Sequence, residues 1–196
     1  MKNDVRIIST DFEVREAEGD TPTTIAGYAM KFNRESENLG WFTEVIEEKA
    51  LDDADLSNVV ALINHDSNMV LGRSGRNLEL EVDEIGLRFK IYPNDTSYVK
   101  DLVENMRTGL VDKCSFAFSL AKGGDKWDKR DDGTYLRTIG KFAKIYDVSV
   151  VTSPAYNDTE AVLSQRSIDS IEQLKQRVAE EREKELLDIE VGIFTK

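Results

Sequence analysis

Three residues of this chain could together carry out acyl transfer: His65 in "NVVALINHDSN" (residues 58–68), Ser115 in "KCSFAFS" and Asp147 in "IYDVSVV". His65 is the single histidine of the 196 residues. A serine hydroxyl is a weak nucleophile until a base takes its proton, and an imidazole serves best when an acid fixes its tautomer and stabilises the imidazolium. Spacing along the chain neither supports nor opposes such a set, because triads are defined by geometry and role. Each residue also has a plain structural reading: His65 as a hydrogen-bonded strand-end histidine, Ser115 as a serine facing a neighbouring strand, Asp147 as the partner of a buried Lys or Arg. On the residues alone these plain readings are favoured.

Strand alternation sharpens the three positions, since successive side chains of a strand point to opposite faces. In "VVALINH", Val59, Ala61, Ile63 and His65 share a face, and a strand ending near Asn64 leaves His65 at its mouth, half buried and within reach of a substrate. In "CSFAFSL", Cys114, Phe116, Phe118 and Leu120 form an apolar face, while Ser115, Ala117 and Ser119 form a face of small residues with room for a peptide backbone. In "IYDVSVV", Asp147 is placed on the face of Ile145, Ser149 and Val151, an acid in an otherwise apolar strand that needs a partner. Cys114 is the rival nucleophile, but its phenylalanine-lined face and the frequent burial of free cysteine argue against it. Asp66 is a poor orienting acid for His65, because adjacent side chains of an extended segment diverge.

The elements that must hold these residues are mostly short strands. Strand-like runs recur between turn signals up to residue 165: "VRIISTDFEV", "TTIAGYAMKF", "VVALIN", "LELEV", "GLRFKIY", "CSFAFSL", "YLRTIGKFA" and "IYDVSVVT". They predict a mixed, mainly β fold, a closed or partly closed β-barrel or a sandwich with flanking helices. One helix is predicted in "NDTSYVKDLVENMRTGL", with Asp95 or Thr96 as N-cap, Val99, Leu102, Val103 and Met106 on one face and Gly109 as the stop. A shorter helix is expected over "EEKALDDAD", and "AKGGDKWDKRDDGTYL" reads as a polar hairpin loop. Trp41 and Trp127 are expected in core and loop. Arg73 and Arg137 could assist the chemistry, but they read more simply as surface or structural charges.

Residues 1–165 are thus expected to form the β-barrel domain and residues 166–196 a charged C-terminal helical extension, in which Ile168, Ile171, Leu174 and Val178 make one narrow apolar stripe. Lys and Arg number 26 against 38 Asp and Glu, giving a net charge of −12 that opposes binding to nucleic acid or an anionic membrane. One cysteine cannot form an internal disulfide, the amino terminus lacks a signal-peptide core, and no run nears the roughly 18 apolar residues of a membrane span. The expectation is a soluble protein of a reducing compartment. No metal is expected, because the single His and single Cys belong to no ligand cluster, and no cofactor, because "GRSGRN" and "KGGDK" lack a phosphate-loop pattern.

Taken in order around the helix that ends in "MRTGLV", the stretches "NHDSNMVLGRS", "KCSFAFS" and "IYDVSVVTSPAYNDTEA" resemble the prohead maturation proteases of tailed phages, a family similar to the herpesvirus assemblins. "GYAMKFNRESENLGWFTEVIEEKAL" is similar to that family's amino-terminal region, so the likeness spans roughly residues 5–165. The resemblance implies a helix-wrapped β-barrel serine protease with His65 as base, Ser115 as nucleophile and Asp147 in the place of the third, usually acidic, member. The second histidine of the herpesvirus enzymes has no counterpart here, which excludes a Ser-His-His triad. The resemblance also implies oxyanion donors in the loop "TSPAYND". The expected substrates are the major capsid protein or scaffold segments, and the chain itself, cut inside the assembling prohead in the bacterial host cytoplasm, with a homodimer as an open option. The competing function is a catalytically silent β-barrel that nucleates capsid assembly and uses the charged C-terminal helix to bind capsid or scaffold protein.

Overall fold

The computed structural model describes residues 4–9, 12–15 and 23–152. The amino-terminal part supplies β1 (Asp4–Ser9), β2 (Glu13–Arg15), β3 (Thr24–Lys31) and β4 (Phe42–Ile46), followed by a 3-10 turn at Glu48–Leu51. Then come β5 (Val60–Ile63), β6 (Asp66–Arg73), β7 (Leu78–Val82) and β8 (Gly86–Ile91). After the helix α1 (Ser97–Arg107) follow β9 (Lys113–Leu120), β10 (Asp125–Lys129), β11 (Tyr135–Ile139) and β12 (Phe142–Val151). The mainly β expectation therefore holds for the described residues. They do not form a closed barrel: the strands hydrogen-bond into sheets ordered β1-β9-β12-β5-β6, β2-β3-β8-β7 and β10-β11-β4. Periodicity identifies strands but not which of their edges join, so closure into a barrel could not be read from it. The charged helix expected over 166–196 lies outside the described residues.

In the first sheet β9 sits between β1 and β12, and both of its faces are buried. Phe116 and Phe118 stack on one face at 5.4 Å between centroids, and Phe142 meets Phe118 edge-on at 5.0 Å. The helix α1 contributes Val99, Leu102, Val103 and Met106 to the same core, as its spacing predicts. Gly109 ends it with φ +74, a conformation that costs glycine little. The helix expected over "EEKALDDAD" shrinks to one 3-10 turn, because Asp52 and Asp53 fall at its carboxyl end, where negative charge opposes the helix dipole.

The polar stretch "AKGGDKWDKRDDGTYL" holds a strand that its composition hides. β10 pairs with β11 from Asp125↔Ile139 to Lys129↔Tyr135. Trp127 on β10 stacks on Trp41 at 5.1 Å, and the Arg137 guanidinium lies 5.3 Å from the Trp127 ring. Cross-strand contacts of this kind outweigh the poor strand propensity of Asp and Lys.

β1, which flanks the strand of Ser115, is tied to the third sheet by a buried ionic cluster. Arg6 on β1 reaches both carboxylate oxygens of Glu44 on β4, each at 3.0 Å. Arg137 on β11 donates to Glu44 at 3.1 Å, to Asp125 at 2.8 Å and to Asp4 at 3.3 Å. Burial alone would lower the pKa of the Arg137 guanidinium, but the surrounding carboxylates, Glu44 first, hold it above its ordinary value. Arg137 is thus a structural charge, the plainer of its two sequence readings. Arg73 is exposed and donates to Asn58 at 2.6 Å.

Candidate active site

The three residues singled out above lie on or beside adjacent strands of the first sheet. β9 and β12 run antiparallel with Ser115 opposite Ser149, and β12 runs parallel to β5 with Asp147 beside Val60 and Val150 beside Ile63. Alternation on β9 is as expected, with Cys114, Phe116 and Phe118 fully buried on the core side and Ser115 on the other. On β12 a bulge changes the outcome. Ile145 pairs with Phe118 and points into the core, whereas Asp147 pairs with Ala117 and faces the side of Ser115. Asp147 and Ile145 therefore do not share a face, because the irregularity between them shifts the parity by one.

His65 reaches the same place from a turn rather than from a strand. β5 ends at Ile63, which pairs with Asp66 at the start of β6, so Asn64 and His65 form a two-residue hairpin turn. Their φ values are +51 and +57, the left-handed pair of a type I′ turn. Asparagine tolerates this conformation well; histidine at the second position, where glycine is usual, is strained. The turn is held to the end of β12: Asn64 N–H donates to the Val150 carbonyl at 2.9 Å, and Asn64 Oδ1 accepts from the Thr152 N–H at 3.1 Å.

These placements give His65 Nδ1 a contact with Asp147 Oδ1 at 2.7 Å and His65 Nε2 a contact with Ser115 Oγ at 2.6 Å. With an ionised carboxylate, which can only accept, the proton of the neutral ring belongs on Nδ1, and the Nε2 lone pair is left to accept the serine proton. Ser115 is fully buried, while the side chains of His65 and Asp147 keep 26% and 15% of their surface. The Ser115 end of the hydrogen-bonded chain is thus shielded from water, which strengthens its contact with the imidazole. Ser149 joins this group: it is 1% exposed, and its Oγ is 2.8 Å from Asp147 Oδ1 and 3.2 Å from His65 Nδ1. Sequence reasoning did not single out Ser149 or Asn64. Strand period pointed to Ser149 two positions beyond Asp147, and the preference of asparagine for left-handed turns pointed to Asn64.

The remaining sequence candidates fall elsewhere. Asp66 is exposed and accepts from Asn68, not from His65. Cys114 lies on the opposite face of β9, and burial pushes its thiol up to about 12, so almost no thiolate exists at neutral pH. Iodoacetamide is accordingly expected to leave native Cys114 unmodified and to label it fully in urea, as read by intact mass. Rapid native labelling with parallel loss of hydrolysis would restore Cys114 as a nucleophile. Of the loop "TSPAYND" only Thr152 belongs to the described residues. Among the described residues no cluster of three or more His, Cys, Asp or Glu is arranged to hold a metal ion, and no helix is long and apolar enough to cross a membrane.

A serine hydroxyl, an imidazole and a carboxylate joined in one hydrogen-bonded line form the constellation of a serine hydrolase, here on a mainly β scaffold. The chain belongs to the caudovirus prohead serine protease family, whose sequence model matches residues 10–174. Among solved structures it is similar to the capsid assembly protease of bacteriophage T4, with a TM-score of 0.50 and 12% identity over 78% of this chain and 98% of that one. At that identity the likeness concerns the fold. No curated protein sequence matches the chain.

Proposed function

We propose that this chain is a serine endopeptidase that cuts scaffold segments or capsid-protein extensions, and its own chain, during prohead maturation in the bacterial host cytoplasm. Family membership supports the class of activity, and one observation carries the assignment of residues: His65 lies within hydrogen-bond reach of Ser115 on one ring nitrogen and of Asp147 on the other. In this reading His65 Nε2 takes the Ser115 proton as Oγ attacks the peptide carbonyl carbon. The imidazolium, stabilised by Asp147, then gives that proton to the leaving amine. Water repeats the cycle on the acyl-enzyme and frees the second product. Backbone donors must stabilise the oxyanion, and the loop starting at Thr152 is the candidate source. The Thr152 N–H is already engaged by Asn64 Oδ1 and is not itself such a donor. A net charge of −12 favours basic or uncharged partner segments over nucleic acid.

Co-expression with the capsid protein of the same phage tests this reading. The capsid protein should be shortened beside the parent chain and keep its full mass beside Ser115→Ala. An unchanged capsid-protein mass in both cases would favour an assembly factor without catalytic activity.

A further inference from the structure

Ser149 is the one member of the site group that the hydrolysis scheme leaves without a task. It lies on β12 directly opposite Ser115, is 1% exposed, and directs its hydroxyl at the junction between acid and base. A hydroxyl has one proton to give and lone pairs to accept with. An ionised carboxylate can only accept, so the Ser149 proton goes to Asp147 Oδ1 at 2.8 Å, and a lone pair is left facing His65 Nδ1 at 3.2 Å. Oδ1 is also the oxygen that receives the Nδ1 proton, at 2.7 Å. The imidazole N–H is therefore shared between two acceptors that are themselves hydrogen-bonded to each other. Among the described residues, His65 and Ser149 are the side chains hydrogen-bonded to Asp147, so without the Ser149 hydroxyl the carboxylate is held by the imidazole alone.

We propose that Ser149 is a positioning residue that fixes the Asp147 carboxylate against rotation and holds His65 as the Nδ1–H tautomer, with the Nε2 lone pair aimed at Ser115. This rests on the serine-protease reading above. The residue touches neither substrate nor the reacting hydroxyl; it acts through Asp147 and His65. Its loss costs most where the proton moves, so kcat falls and KM does not.

The test uses the full chain, a peptide spanning the cleavage site mapped in the co-expression experiment, and nitrogen-resolved NMR of the imidazole, which is free of overlap because the chain has one histidine. Ser149→Ala should lower kcat about 10- to 100-fold with KM unchanged, the range expected when one hydrogen bond to a charged group is removed. In the same variant the Nδ1–H signal should move to higher field and the Nε2–H tautomer should appear. Ser149→Thr keeps the hydroxyl and should retain the Nδ1–H tautomer, and Ser149→Cys, of similar shape with a weak donor, should follow Ser149→Ala should the latter fold poorly. Wild-type imidazole signals in folded Ser149→Ala overturn the proposal, whether or not its activity falls, because a packing role alone would leave the tautomer untouched. Failure of the underlying reading looks different: Ser115→Ala would still cleave, while the imidazole signals of Ser149→Ala would still report on the contact.

Discussion

Ser115→Ala and His65→Ala should each reduce kcat by on the order of 10⁴- to 10⁶-fold, and the double variant should be no worse than either single one. The non-additivity follows from the geometry. With Ser115 Oγ 2.6 Å from His65 Nε2, the hydroxyl has no use without the base and the base has no proton to take without the hydroxyl. Ser115→Ala should keep its fold, because the methyl group occupies the same buried space and the partly exposed His65 can turn to water for its lost contact. Asp147→Asn should reduce kcat by on the order of 10³- to 10⁴-fold, since an amide can present N–H to Nδ1 and favour the wrong tautomer. Single-turnover hydrolysis of a mapped peptide reads all four variants. Turnover by either alanine variant above about a hundredth of the parent rate would remove that residue from the chemistry.

Glu44→Ala should destabilise the fold by about 3–5 kcal/mol, the cost of breaking a buried ion pair by removing one partner. Glu44 is 4% exposed and pairs with both Arg6 and Arg137; Asp4 and Asp125 still balance the two guanidinium charges in number, but at side-chain exposures of 42% and 26% they do not replace its buried hydrogen bonds. Glu44→Gln keeps hydrogen bonds but loses the charge and should cost less than Glu44→Ala. Urea unfolding followed by tryptophan fluorescence reports it, because Trp127 lies against Arg137. A loss below about 1 kcal/mol would mean that the cluster is hydrated and does not bind β1 to the third sheet.

What could be read from the sequence was what depends on local periodicity. The apolar stripe of α1, the alternation in "CSFAFSL" and the placement of Cys114 away from Ser115 follow from side-chain spacing alone, and the structure has them so. Two features lay beyond that rule. The bulge between Ile145 and Asp147 adds a residue to one strand only, so counting by twos assigned Ile145 to the wrong face. The left-handed pair Asn64–His65 swings the imidazole out of strand parity, and only the pairing of Ile63 with Asp66 fixes where it goes. Strand β10 was hidden for another reason: its residues are poor strand formers, and Trp41, on which its Trp127 stacks, comes from a distant segment. The edges at which the sheets stop are likewise tertiary facts, so local period could not tell a closed barrel from the sheets found here.

The parallel pairing of β12 with β5 sets a time at which this site can first exist. His65 and Asp147 are 82 residues apart in sequence, and parallel strands need a long excursion of chain between them before they can meet. Contacts of such long range form only after the entropy of closing the loop has been met, so they come late in folding. A chain that has emerged from the ribosome with β5 and β9 but not β12 lacks the strand that lies between them, so His65 and Ser115 are not yet held together. On the serine-protease reading proposed above, hydrolysis should therefore begin only when the sheet is finished, so that synthesis order itself delays the first cut.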